Sequence, residues 1–154
     1  MRVKRPRILV SACLLGVYCR YNGERKQMEG IERLMERVEL IPVCPEVLGG
    51  LPTPRPPAER VGERVMNREG ADVTEAYQLG AEETLRLAEL FDARFALLKE
   101  RSPSCGMGNI HDGSFQGRIV DGSGVTAELL TAHGISVYGE SRIDELLNEL
   151  DNYT

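Results

Sequence analysis

Leu97-Leu98-Lys99-Glu100-Arg101-Ser102-Pro103-Ser104-Cys105-Gly106-Met107-Gly108 is the stretch on which the reading of the chain turns. An apolar, strand-like run from Phe95 to Leu98 ends in charges, and a tight Ser-Pro-Ser-Cys-Gly turn follows at once. Pro103 fixes φ and lacks an N–H, while Gly106 and Gly108 reach backbone angles closed to other residues. A turn of this kind at the carboxyl end of a buried strand is where open α/β sheets place reactive groups. Ile8-Leu9-Val10-Ser11-Ala12-Cys13 and Leu40-Ile41-Pro42-Val43-Cys44 share the pattern, the second followed by Pro45-Glu46. Three strand-like runs that each lead into a cysteine predict three thiols converging at one end of one sheet.

The rest of the chain supplies the helices such a sheet needs. Met28, Ile31, Leu34, Met35 and Val38 recur at helical spacing before a strand over Glu39 to Val43. Pro45 to Pro57 holds five of the eight prolines together with Gly49-Gly50, which predicts a long stiffened loop with no regular element. A Glu/Arg-rich segment to Arg68 reads as irregular or as a short hairpin. Thr74 or Asp72 caps a helix running to about Phe91, with Tyr77, Ala81, Leu85 and Ala88 as its buried stripe. His111-Asp112-Gly113-Ser114 has the composition of a hairpin turn, and Arg118 to Val120 that of a short strand. A helix over Val125 to Ala132 ends at Gly134, and Ile135 to Tyr138 is the fourth strand of the core. Ser141 and Asp144 have the spacing of a capping box for a last helix carrying Ile143, Leu146, Leu147 and Leu150. Strands alternating with helices predict an α/β fold, a single-domain three-layer sandwich with a mainly parallel, Rossmann-like sheet over residues 1–154.

Composition narrows the function. A net charge of −5 and the absence of a basic stripe interleaved with aromatics argue against a nucleic acid duplex and favour a small or neutral substrate. The basic start, Met1 to Arg7, is followed by too short and too broken an apolar run for a secretory signal, and no segment approaches a membrane span. The expected location is therefore cytoplasmic. Four cysteines there are free, metal-bound or reactive rather than paired in disulfides.

No C-x-x-C occurs, which weakens thioredoxin-like and zinc-ribbon readings of those cysteines. Three buried free cysteines can simply pack as small apolar side chains. If Cys13, Cys44 and Cys105 converge, they suit an iron–sulfur cluster, with one iron left for a soft atom such as sulfur. Cys19, in the loop six residues past Cys13, is read as a non-ligand. Glu46, two residues past Cys44, is a candidate general base for water. Ser102, Ser104 and Ser11 are candidates to position a water or bind substrate. Arg20, Tyr21, Asn22 and Arg55 are candidates to hold a planar polar substrate at the rim. His111 and His133 lack partners at metal-ligand spacing and receive no role. Gly106-Met107-Gly108 and Gly122-Ser123-Gly124 are misplaced for a dinucleotide fingerprint.

Four ordered motifs then carry a resemblance. Ser11-Ala-Cys-Leu-Leu-Gly16, Cys19-Arg-Tyr-Asn-Gly23, the segment from Val43 to Ala58, and Lys99-Glu-Arg-Ser-Pro-Ser-Cys-Gly106 resemble the thiouracil desulfidase (TudS-like) family, as do Asp112 to Gly117 and Gly122 to Leu130. The resemblance implies a [4Fe-4S] cluster held by Cys13, Cys44 and Cys105, and a small thiolated pyrimidine as substrate. It further implies that Glu46 and Ser102 help a water attack the ring carbon, giving uracil and hydrosulfide with no net electron transfer. Asn22 stands where the commoner form of the motif has Asp. Two other readings stay open: a non-catalytic iron–sulfur or metal-binding module, and a metal-free thiol enzyme.

Overall fold

The computed structural model describes residues 5–153; the basic stretch Met1 to Lys4 and Thr154 lie outside the described residues. Four strands form one parallel sheet: β1 (Arg7–Ser11), β2 (Glu39–Val43), β5 (Phe95–Leu98) and β8 (Ser136–Gly139), in the order β2-β1-β5-β8. Alternation along each strand sends its side chains to opposite faces, so each face needs a helical cover. Ile8, Val10, Phe95 and Leu97 share one apolar layer with Ile31 and Leu34 of α1 (Ile31–Met35) and Ile143, Leu146 and Leu150 of α5 (Ile143–Asp151). Leu9, Ala96, Leu98 and Val137 share the other with Ala88 of α3 (Thr74–Leu90) and Ala127 and Leu130 of α4 (Val125–Ala132). The result is the expected three-layer α/β sandwich. No helix among the described residues is long and apolar enough to cross a membrane.

The order β2-β1-β5-β8 contains a reversal that positions everything else. The chain leaves β1 for β2 on one side, then crosses back to β5 on the other. Crossover connections diverge at such a point and leave a crevice at the carboxyl ends of the strands. Cys13 sits in the 3₁₀ turn that follows β1 (Ala12–Leu14), Cys44 directly follows β2, and Cys105 lies in the loop after β5. Two antiparallel hairpins complete the fold: β3 (Ala58–Val61) with β4 (Arg64–Asn67), and β6 (Asn109–His111) with β7 (Ile119–Asp121).

Four local expectations are corrected. The amphipathic segment Met28 to Val38 is helical only over α1, because Gly30 immediately before it takes φ 87°, outside the right-handed helix. The proline-rich segment is not devoid of structure: α2 (Pro45–Leu48) forms one turn directly after Cys44, with Pro45 at its first position, where a missing N–H costs nothing. Leu85 is half-buried, and the stripe of α3 is completed by Gly80 and Thr84. The capping box at Ser141 is absent. A 3₁₀ turn (Glu140–Arg142) precedes α5, and the Ser141 N–H donates to the Glu100 carboxylate instead.

Candidate functional site

A cavity of about 490 Å³ opens at the carboxyl end of the sheet. Its walls include Ser11, Cys13, Cys19, Cys44, Glu46, Arg55, Ser102 and Cys105. Each arrives there for a local reason. Cys44 is the residue before α2, so its thiol lies at the start of that turn; its pKa is lowered to about 7, first by a hydrogen bond from the Cys19 thiol. α2 presses on α3 because both sides of the contact lack a side chain. A Cβ on Gly80 would stand 1.9 Å from the Pro45 carbonyl oxygen, and one on Gly49 2.0 Å from that of Ala76. This close approach brings Glu46 beside the Tyr77 phenol, whose own pKa is pushed up by burial and by that carboxylate.

The loop after β5 is built as rigidly. Arg101 takes φ 63°, a strained value for a residue with a Cβ, and turns the chain into Ser102. The Ser102 hydroxyl oxygen accepts the N–H groups of Ser104 (3.1 Å) and Cys105 (3.0 Å). With its lone pairs so used, the hydroxyl proton is free to be donated into the cavity. The carbonyls of Pro103 and Ser104 in turn accept the first N–H groups of α4, from Val125, Thr126 and Ala127. That contact needs Gly124, where a Cβ would lie 2.4 Å from the Ser104 backbone. The Cys105 loop thus caps a helix, which fixes where the sulfur can be.

Glu46 and Arg55 form a shielded ion pair: Nε to Oε2 is 2.6 Å, with side-chain exposures of 13% and 6% respectively. Burial works against the guanidinium charge, but the Glu46 carboxylate outweighs it and raises the Arg55 pKa. Three more donors of Arg55 reach the Cys19 carbonyl (2.7 Å), the Pro52 carbonyl (3.0 Å) and the Thr53 hydroxyl (3.3 Å). Four of the five N–H donors of Arg55 are therefore bound within the protein, where they orient Glu46 and brace the loop, and one Nη2 hydrogen is left for a ligand. Ser11 is likewise spent on the protein: its oxygen accepts the Lys99 N–H (2.9 Å), and its hydroxyl faces the Cys105 sulfur.

Two residues expected at the site lie elsewhere. Ser104 is wholly buried and its hydroxyl pairs with that of Thr126 at 2.8 Å, on the α4 side of the loop. Asn22 is exposed, and its side-chain oxygen accepts the Glu24 N–H in a turn, outside the cavity lining. Conversely, His111, which received no role from the sequence, and Phe115, which lies in the family-like segment Asp112 to Gly117 but was given no role of its own, line the cavity on the hairpin side.

The donor set fits a cluster better than a lone ion. Among the described residues, no three Cys, His, Asp or Glu side chains are gathered as a single metal ion needs. One tetrahedral ion draws its thiolates to within about 4 Å of one another. A cluster takes one thiolate per iron and needs a wider triangle of sulfurs. Cys13, Cys44 and Cys105 influence one another electrostatically across the cavity. Burial raises the Cys13 pKa to about 11 and pushes that of Cys105 higher still, so both hold their protons until a cation displaces them.

Residues 8–142 match the family described as 2-thiouracil desulfurase. The chain belongs to that family. A relative described as the uncharacterized protein YbbK of Bacillus subtilis (strain 168) is 43% identical over 150 residues, covering 91% of this chain and 99% of its own. A solved structure described as the [4Fe-4S]-dependent thiouracil desulfidase TudS superposes with a TM-score of 0.91 at 48% identity. That match covers 96% of this chain and 99% of the other.

Proposed function

We propose that this chain is a cytoplasmic, single-domain desulfidase that removes sulfur from a thiolated pyrimidine without net electron transfer, using a [4Fe-4S] cluster held by Cys13, Cys44 and Cys105. The observation that carries this reading is one cavity onto which all three thiols, Glu46 and Ser102 open. When bound, the cluster supplies a thiophilic Lewis acid, because three protein ligands leave one iron open to the sulfur of the substrate. Glu46 takes a proton from water as general base, with Arg55 holding its Oε2 so that the carboxylate cannot swing away. Ser102, its oxygen occupied by two backbone N–H groups, donates a hydrogen bond to the water oxygen and orients it. The water oxygen bonds to the ring carbon, the carbon–sulfur bond breaks, and the products are uracil and hydrosulfide. Atoms and charge balance with water as the sole co-reactant.

A storage or delivery module has no use for a shielded carboxylate braced by an arginine beside the thiols, and this pair favours the enzyme. The test is to reconstitute the full chain anaerobically with iron and sulfide and to add 2-thiouracil, or 4-thiouracil, with no reductant. Equal amounts of hydrosulfide and uracil are expected. Iron-loaded protein that releases neither would make it a non-catalytic module, and release from iron-free protein would make it a thiol enzyme.

A further inference from the structure

Tyr77 belongs by spacing to the buried stripe of α3, and only 2% of its surface is exposed. A phenylalanine would fill such a stripe with no polar atom to satisfy. The phenol adds an O–H, and burying a hydroxyl is unfavourable unless it finds a partner. Tyr77 lines the cavity, and its hydroxyl is in hydrogen-bonding contact with the Glu46 carboxylate. Burial and then that carboxylate push the phenol pKa up, so the hydroxyl keeps its proton and serves as a donor.

The meeting of these two side chains is built into the backbone. Glu46 lies between Pro45 and Gly49 in the sequence, and Tyr77 between Ala76 and Gly80. These four flanking residues make the two contacts in which a Cβ on Gly80 would fall 1.9 Å from the Pro45 carbonyl oxygen and one on Gly49 2.0 Å from that of Ala76. α2 and α3 are therefore locked together on both sides of the phenol and the carboxylate. Arg55 approaches the same carboxylate from the proline-rich loop, with Nε 2.6 Å from Oε2. One donor at one oxygen anchors the group and leaves the tilt of its plane free; a second donor from another element fixes that tilt. A carboxylate has about four lone-pair sites, so two protein donors still leave room for a water.

We propose that Tyr77 is a positioning residue of the desulfidase: its hydroxyl donates to the Glu46 carboxylate and sets the angle at which that carboxylate meets the attacking water. This rests on the desulfidase reading and adds the group that aims its base. Tyr77 acts through Glu46 and takes no part in binding the base, so its loss lowers kcat and leaves KM.

Tyr77→Phe removes one oxygen and keeps the ring. In the reconstituted full chain with 2-thiouracil it should lower kcat about tenfold, with KM within about threefold and iron content unchanged. Made in a Glu46→Gln background, the same substitution should change kcat less than about twofold, because no base is left to aim. An unchanged kcat in Tyr77→Phe, or equal fold-losses in the two backgrounds, would overturn the proposal. The contact itself is read without turnover by carbon-13 NMR of the full chain labelled at the ζ-carbon of its five tyrosines. The signal lost in Tyr77→Phe is that of Tyr77, and Glu46→Gln should move it. Tyr138, packed on the opposite apolar layer and assigned in the same way, should stay in place. A Tyr77 signal indifferent to Glu46→Gln would also overturn the proposal. Iron content and hydrosulfide release from the wild type report separately on the desulfidase reading, so the two failures are distinguishable.

Discussion

Along the sheet wall of the cavity, Cys13, Cys44 and Cys105 hang from strands whose residues Leu9, Val10, Leu97 and Leu98 are wholly buried. Along the hairpin wall, His111 and Phe115 hang from short two-stranded ribbons whose Val61, Ile119 and Val120 face solvent. The sheet wall is held by parallel pairing on both sides of β1 and by two apolar layers. An isolated hairpin is marginal in water, and here each ribbon is tied to its surroundings at a few points: Glu59 holds the loop after β6, Arg60 reaches the Ser123 carbonyl and Glu128, and Val65 and Ile110 are the apolar side chains they bury. Groups that must hold fixed distances sit on the core, and groups that must fit a ligand sit on elements with little of it. The contrast predicts that damage to the sheet wall removes chemistry and damage to the hairpin wall changes affinity.

The largest separation of the two effects is expected at Glu46. Glu46→Gln should lower kcat by about 10²- to 10⁴-fold while iron content stays at the wild-type level. A kcat within threefold of wild type would remove Glu46 from the sheet wall's chemistry. Arg55→Met should come next: it strands a shielded carboxylate and frees the loop, so thermal or urea unfolding should show a loss of about 3–5 kcal/mol, with kcat reduced as well. An intact unfolding midpoint would show that the pair does not brace the site.

On the hairpin wall the expected signature reverses. Glu59→Ala removes the acceptor of two loop N–H groups and should raise KM roughly tenfold while kcat stays within about threefold, at a stability loss of about 2–3 kcal/mol. A fall in kcat with unchanged KM would erase the distinction between the walls. The smallest effects belong to the two residues the cavity leaves out. Ser104→Ala breaks the pair with Thr126 and should cost about 1–2 kcal/mol in unfolding experiments without altering kcat/KM, and Asn22→Asp should change neither measurably.

What the sequence disclosed follows the same division. The sheet wall was legible because a buried parallel strand is a continuous apolar run, and a cysteine just beyond its end marks the crevice without further information. Cys13, Cys44 and Cys105 were readable in that way, and so was the proximity of Glu46, which follows Cys44 by two residues. The hairpin wall was not. Nothing local in His111 announces a place on the cavity wall, because that depends on elements far along the chain. Glu59 and the loop it holds are separated by 54 and 56 residues, and no periodicity spans that gap. Arg55 was visible as a cation among prolines, but its pairing with Glu46 and the Cys19 carbonyl depends on how the loop folds back. α2 was hidden because Pro45 reads as a breaker until its place at the first helical position is known. Ser104 shared the turn with Ser102, and only the packing of α4 decides which hydroxyl faces the cavity.

The central claim is that three particular thiols, and not the fourth, hold one cluster. Iron and acid-labile sulfide should therefore be counted per chain in anaerobically reconstituted wild-type protein and in Cys13→Ser, Cys44→Ser, Cys105→Ser and Cys19→Ser. The account predicts about four irons and four sulfides in the wild type and in Cys19→Ser, and loss of the intact cluster in each of the other three. A wild type that stays iron-free, or a cluster that survives removal of Cys13, Cys44 or Cys105, would contradict it.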